Sequence, residues 1–181
     1  AGDIYKISHP KRFKSDVIKI YKSDLDRKVY LPKILAMIKN PISSCDKKNK
    51  DNHQIAWPKA IVEDSSGGFM GFSMPAIDFK DSLSLENILQ RKIRSRNGFP
   101  EFYGYRISVA YNLAALVSFI HSKQHHIIDL KPVNCRVFKS SMQVAIVDCD
   151  GFSVNDGRER YFATQFTPEY LSPDATRNNK K

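Results

Sequence analysis

The feature that most constrains this chain is a change in hydrophobic period partway along it: apolar residues mostly alternate up to about residue 77 and then recur at helical spacing. Ile4-Tyr5-Lys6-Ile7 alternates apolar and polar. Asp16-Val17-Ile18-Lys19-Ile20-Tyr21 does so again after His9-Pro10 and a basic turn, which predicts a β-hairpin. From Asp24 to Lys39, Val29, Ile34, Leu35, Met37 and Ile38 recur at three- and four-residue spacings. A helix is expected there, with Pro32 kinking it or sitting in its first turn, and it ends before Asn40-Pro41. Residues 43 to 53 are polar and lysine-rich, as in a surface loop. Ile55 to Val62 and Gly68 to Ile77 read as two more strands, joined by the turn Asp64-Ser65-Ser66-Gly67-Gly68. The order is β-β-α-β-β.

Past this point Leu83 to Ile93 and Ile107 to Ser122 carry helical patterns, the second with Val109, Leu113, Leu116, Val117 and Ile120 on one stripe. Val137-Phe138 and Val144-Ala145-Ile146-Val147 read as short strands around the turn Lys139-Ser140-Ser141-Met142. The expected fold class is α+β. A sheet-and-helix unit over residues 1–77 is followed by a mainly helical unit over residues 78–181, with a cleft between them near residues 75 to 80. Ligand sites favour such clefts.

With 181 residues, 41% of them hydrophobic, the chain can bury a real core. No apolar run approaches the roughly 20 residues of a membrane span, and no signal pattern opens the chain, so no membrane span and a cytoplasmic location are expected. Cys45, Cys135 and Cys149 lack the paired spacing of a zinc site and read as reduced and structural. The formal charge of +10 is spread along the chain, densest at Lys47-Lys48-Asn49-Lys50 and Arg91-Lys92-Ile93-Arg94-Ser95-Arg96. Solvated loops and a helix end account for it better than a nucleic-acid surface does.

The densest chemistry lies in Asp129-Leu130-Lys131-Pro132-Val133-Asn134 and in Asp148-Cys149-Asp150-Gly151 at the end of the next apolar run. Asp129 could orient a nucleophile or accept its proton, and Lys131 could neutralise a phosphate. Asn134 and Asp148 could give hard oxygens to Mg²⁺. Taken singly, each also has a structural reading as a turn former, a cap or a solvated charge. Asp150 has two readings, a second metal oxygen or a turn residue ahead of Gly151.

The stretch from Ile120 through His121-Ser122-Lys123-Gln124-His125-His126-Ile127-Ile128 to Asp129-Leu130-Lys131-Pro132-Val133-Asn134 resembles the helix end and catalytic loop, H-R-D-L-x-x-x-N, of protein kinases. Asp148-Cys149-Asp150 falls where kinases carry D-F-G, and Phe166-Thr167-Pro168-Glu169-Tyr170-Leu171-Ser172-Pro173-Asp174 resembles the segment that closes the activation loop. Gly2-Asp3-Ile4-Tyr5-Lys6-Ile7 is similar to the end of a glycine-rich loop, Val17-Ile18-Lys19 to the strand V-A-x-K, and Met74-Pro75-Ala76-Ile77 to a hinge. Together with Lys33-Ile34-Leu35-Ala36-Met37-Ile38 and Trp57-Pro58, the D-x-D pattern resembles bacterial kinase-like proteins that often accompany type 2C protein phosphatases.

The resemblance implies a bilobal protein-kinase-like fold with a truncated second lobe, and Ser/Thr phosphotransfer from ATP with Mg²⁺ or Mn²⁺. The implied partners are a protein substrate and a cognate type 2C phosphatase. It makes Asp129 and Lys131 catalytic and Asn134, Asp148 and Asp150 metal ligands; Gly2, Val17, Lys19, Met74, Ala76 and Ile77 become nucleotide contacts. Four positions depart from the pattern. Ile127 and Ile128 stand at the H-R positions, so phosphorylation at Thr164 or Thr167 is not expected to switch the chain by that route. Leu31 stands near the place of the helix glutamate that pairs with the strand lysine, and Asp24 and Asp26 are too distant to replace it. Arg136 replaces the apolar floor of the adenine pocket. A pseudokinase that keeps the fold as a nucleotide-binding or interaction module is the alternative.

Overall fold

The computed structural model describes residues 2–10, 13–42, 53–163 and 166–170; the expected loop over residues 43 to 53 lies almost wholly outside these, as do Cys45, Lys47-Lys48-Asn49-Lys50, Thr164 and Leu171 to Asp174. Strands β1 (Gly2–Lys6) and β2 (Asp16–Tyr21) form the expected hairpin, with Ile4 opposite Lys19. β2 also pairs with β4 (Phe69–Pro75), and β4 with β3 (Ala60–Glu63), all antiparallel in the order β1-β2-β4-β3. The β2–β4 approach is close. A Cβ at Gly71 would meet the Lys19 carbonyl oxygen at 1.9 Å, so only glycine fits there.

Helix α1 spans Leu31–Lys39, later than the periodicity suggested, because Arg27–Val29 forms a 3-10 turn capped by the Asp26 side chain. Pro32 sits in the first turn, where its missing N–H has no partner to lose. Ile34 and Met37 are buried against the sheet, each contributing about 1.5–3 kcal/mol by leaving water.

The strand expected from Ile55 begins only at Ala60. Instead, Gln54 to Trp57 crosses to the second half of the chain: Ile146 N–H donates to the Gln54 carbonyl at 2.8 Å and Ala56 N–H to the Ile146 carbonyl at 3.1 Å. Trp57 is buried, its Nε1 donating to the Met37 carbonyl at 2.8 Å and its ring packed on His125. This crossing ties α1 and the first sheet to the rest of the core.

The helix expected over Leu83 to Ile93 is broken. β5 (Ser82–Ser84) pairs with β6 (Cys135–Phe138), the Ser84 hydroxyl caps α2 (Leu85–Leu89), and Gln90 is extended before α3 (Arg91–Arg96). Arg94 explains the restart. It is buried, donates to the Ile88 carbonyl at 2.6 Å and forks onto Glu101 at 2.8 and 3.1 Å, so this member of the basic run is structural, not solvated.

Helix α4 spans Tyr103–Ser122, with Val109, Leu116 and Ile120 buried. β6 and β7 (Val144–Ile146) form the expected second hairpin, and β8 (Val154–Asn155) pairs with β9 (Arg160–Tyr161). The fold is α+β, with small antiparallel sheets and few helices, and among the described residues no helix is long and apolar enough to cross a membrane. Cys135 and Cys149 are free and buried, and burial pushes the Cys135 thiol up to about 11 and raises that of Cys149 well above its usual value, as inert structural cysteines require.

Lys33 on α1 is 6% exposed, with its Nζ 3.3 Å from the Phe162 carbonyl. Burial pulls its ammonium down to about 8 from 10.5, and the charge of Asp150 offsets only part of this. Between those values the unfolded chain holds the proton that the folded chain has lost, so stability rises with pH across that window. Urea unfolding of Lys33→Met should show a more stable protein at neutral pH. Its advantage should shrink by roughly 3 kcal/mol by about pH 10, and parallel pH profiles for the two proteins would contradict the assignment.

Candidate functional site

The site is assembled by β2, the 129–134 loop and the turn after β7. Lys131 N–H bonds the Asp129 carbonyl at 3.0 Å and Asn134 N–H the Lys131 carbonyl at 2.9 Å, with Pro132 opening a one-turn 3-10 helix. The loop is therefore wound on itself. Val147 N–H donates to the Asn134 carbonyl at 2.9 Å, which extends the β6–β7 hairpin to the point where Asp148 begins. Asp148 then adopts φ 64, ψ 38, the left-handed conformation that aspartate tolerates better than most residues, and the chain turns through Cys149–Gly151.

This reversal sends both acids of Asp148-Cys149-Asp150 to β2. Lys19 Nζ lies 2.5 Å from Asp148 Oδ1 and 2.7 and 2.9 Å from the two oxygens of Asp150. The Lys19 side chain is 4% exposed; burial alone would weaken its charge, but Asp150 and Asp148 outweigh that and hold its pKa above the usual value. Tyr21, two residues on and so on the same face of β2, donates its hydroxyl to Asp150 Oδ2 at 2.9 Å. Burial and the Asp150 carboxylate hold that phenol neutral.

Across the pocket, Lys131 Nζ lies 2.6 Å from Asp129 Oδ2 and donates to Thr167 Oγ1 at 2.9 Å, while Thr167 N–H donates to Asp129 Oδ1 at 3.1 Å. Burial works against the Asp129 charge, yet Lys131 and Thr167 hold its carboxyl below the usual range. Asn134 donates through Nδ2 to the Asp129 carbonyl at 3.2 Å, and its Oδ1 accepts no hydrogen bond among the described residues.

A pocket of about 230 Å³ is lined by Lys19, Asp129, Lys131, Asn134, Asp148 and Asp150 together with Tyr21, Tyr30, Phe152, Phe166 and Thr167. Six sequence-selected residues thus converge from positions far apart in the chain. The other five do not reach it. Gly2 is a strand residue opposite Tyr21, where a Cβ would meet the Ile20 carbonyl oxygen at 2.3 Å. Val17 and Met74 are cross-strand partners packed with the core, and Ile77 is buried. Ala76 gives its N–H to the Ser15 carbonyl at 2.9 Å.

Arg136 is not among the lining residues; its guanidinium is bonded to the Ser82 carbonyl and hydroxyl and lies 4.1 Å from the Phe79 ring centroid. Among residues not selected from sequence, Tyr21 was legible by its two-residue offset from Lys19. Phe166 and Thr167 were legible only as the start of the segment that resembles the end of an activation loop, which assigned them no contact with Asp129 or Lys131.

Asp148 is the open carboxylate of the site, its side chain 44% exposed against 10% for Asp150. Asp148 and the Asn134 amide oxygen are hard-oxygen donors suited to Mg²⁺. Among the described residues no group of three His, Cys, Asp or Glu side chains forms a ready-made metal cage, so a cation here would take the rest of its shell from water or substrate. No protein-family model matches the chain, and a search of curated proteins found no match.

Proposed function

We propose that the chain is a protein-kinase-like phosphotransferase that moves the terminal phosphoryl group of ATP to a serine or threonine hydroxyl of a protein. The observation that carries this reading is the convergence of Lys19, Asp129, Lys131, Asn134 and Asp148 on one pocket from the first sheet, the catalytic loop and the turn after β7. On this reading the first sheet with α1 is the smaller lobe and residues 78–181 are part of the larger one. A type 2C phosphatase is the proposed opposing partner.

The chemistry asks little covalent work of the protein and much positioning. Asp129, held ionised by Lys131 and Thr167, accepts a hydrogen bond from the substrate hydroxyl and points its oxygen at the phosphorus. Lys131 stays beside that oxygen and offsets charge on the transferred group. Lys19 reaches the phosphates from β2. Asn134 and Asp148 would hold Mg²⁺ or Mn²⁺, which would supply charge neutralisation to the phosphates. Thr167 closes the pocket wall by joining Asp129 and Lys131.

Incubation of the chain with labelled ATP, Mg²⁺ or Mn²⁺ and a basic protein substrate should give labelled substrate. Asp129→Ala should cut the rate by about 100-fold or more while leaving the fold intact by circular dichroism. Equal labelling by both proteins would sink the enzyme reading.

A second reading, a pseudokinase that binds nucleotide or partner without transfer, is favoured by one specific feature. By the resemblance Arg136 stands where an apolar side chain floors the adenine pocket, and its guanidinium is held there by Ser82 and Phe79, while the Ala76 N–H is already bonded to Ser15. Replacing the guanidinium by an apolar side chain should restore an apolar floor at that position. Arg136→Leu should tighten Mg-ATP binding in calorimetry by about tenfold, equivalent to about 1.4 kcal/mol. Weaker binding by Arg136→Leu would mean that the arginine supports the nucleotide.

A further inference from the structure

The acid that grips Lys19 comes from the turn after β7 and not from helix α1. Asp150 contributes both carboxylate oxygens, at 2.7 and 2.9 Å from Nζ, and the Tyr21 hydroxyl donates to one of them at 2.9 Å. Its side chain is 10% exposed, so its acceptor positions face protein. Asp148 is different: it touches Lys19 through Oδ1 alone and is 44% exposed, leaving an oxygen toward the open pocket. Two acids one residue apart therefore have unlike surroundings and are suited to unlike tasks.

Helix α1, the sequence LPKILAMIK, contains no acid, and in the turn before it Asp26 caps Lys28 N–H. What α1 sends into the buried region is Lys33, whose ammonium feels the charge of Asp150 and bonds the Phe162 carbonyl. The helix carries the base and the turn carries the acid.

Resting on the phosphotransfer reading, we propose that Asp150 is the positioning residue of Lys19, clamping its ammonium through both oxygens while Tyr21 fixes the plane of the carboxylate. Asp150 then leaves the metal set, which reduces to Asn134 and Asp148. The clamp and the metal ligand share the turn Asp148–Gly151. Alignment of Lys19 accordingly depends on that turn being closed onto β2, and a shift of α1 does not by itself release it.

Asp150→Asn, Tyr21→Phe and Asp148→Asn test this, with Lys19→Arg as the assignment control. The ammonium resonance of Lys19 in a nitrogen-edited NMR spectrum, assigned by its absence in Lys19→Arg, reports the clamp without turnover. It should be visible in the wild type, lost to exchange in Asp150→Asn and retained but shifted in Tyr21→Phe. Initial rates over a grid of ATP and Mg²⁺ concentrations report the role. Asp150→Asn should lower kcat/KM for ATP by about tenfold or more, as expected for loss of a charged hydrogen-bond partner, with the half-saturating Mg²⁺ concentration unchanged. Asp148→Asn should raise that Mg²⁺ concentration.

Tyr21→Phe removes a single hydroxyl and should lower kcat/KM in the same direction by a smaller factor, which keeps the test available should Asp150→Asn fail to fold. A Lys19 resonance unaltered in Asp150→Asn overturns the proposal, as does an Asp150→Asn defect that extra Mg²⁺ cures, which would make Asp150 a metal ligand. If the wild type neither transfers phosphate nor binds Mg-ATP, the phosphotransfer reading falls and the positioning role with it. A resonance lost in Asp150→Asn would then leave Asp150 as a structural partner of Lys19 alone.

Discussion

A lysine ammonium buried on a central strand is the constraint around which the rest of the molecule is arranged. Lys19 is 3% exposed, and an isolated charge at that depth would cost several kcal/mol. Two carboxylates answer it, and they lie far along the chain, 129 and 131 positions after Lys19. For them to arrive, the β6–β7 hairpin must end beside β2. The crossing of Gln54 to Trp57 fixes this by bonding β7 on one side and the α1 carbonyl of Met37 on the other. The ion pairs specify how the two halves of the chain meet, while the apolar core around Trp57, Phe152 and Ile146 supplies the burial energy.

Local signals made much of this readable from sequence. The β1–β2 hairpin, the end of α1 at Asn40-Pro41, the turn before β4 and the β6–β7 hairpin each depend on periodicity, proline or glycine acting over a few residues. The convergence of Asp129, Lys131, Asn134 and Asp148 was readable as well, because a hairpin between the two motifs leaves little choice about where its ends lie. The misplaced elements were those decided by distant partners. Ile55 to Trp57 has a strand's composition, but Trp57 is drawn into the core by a helix carbonyl and Pro58 cannot extend a ladder. The helix expected over Leu83 to Ile93 yields at Gln90 because Arg94 finds Glu101 and the Ile88 carbonyl.

The partner of Lys19 was hidden for a related reason. Looking for an acid on α1 is sensible for a strand lysine next to a helix, and α1 has none. The pairing that exists joins residues whose separation no pattern of period or spacing reports, and it surfaces only once Asp148 takes its left-handed turn. The glycine-loop and hinge residues lie outside the lining of the pocket. Gly2, Val17, Met74, Ala76 and Ile77 sit in strands or the core because their backbone groups and side chains are already used in pairing and packing.

These two outcomes bear on how a nucleotide would be held. The groups that would handle phosphate and cation are in place and charged: Lys19 held by two acids, Asp129 held by Lys131 and Thr167, and Asp148 open to solvent. Arg136, which lies on Phe79 and bonds Ser82, is outside the lining of this pocket, as are Met74, Ala76 and Ile77. The pocket of about 230 Å³ falls below the roughly 300–1,000 Å³ of small-molecule sites. Phosphate and metal contacts act through charge, whose range exceeds that of packing, so under the phosphotransfer reading they would capture the ligand first.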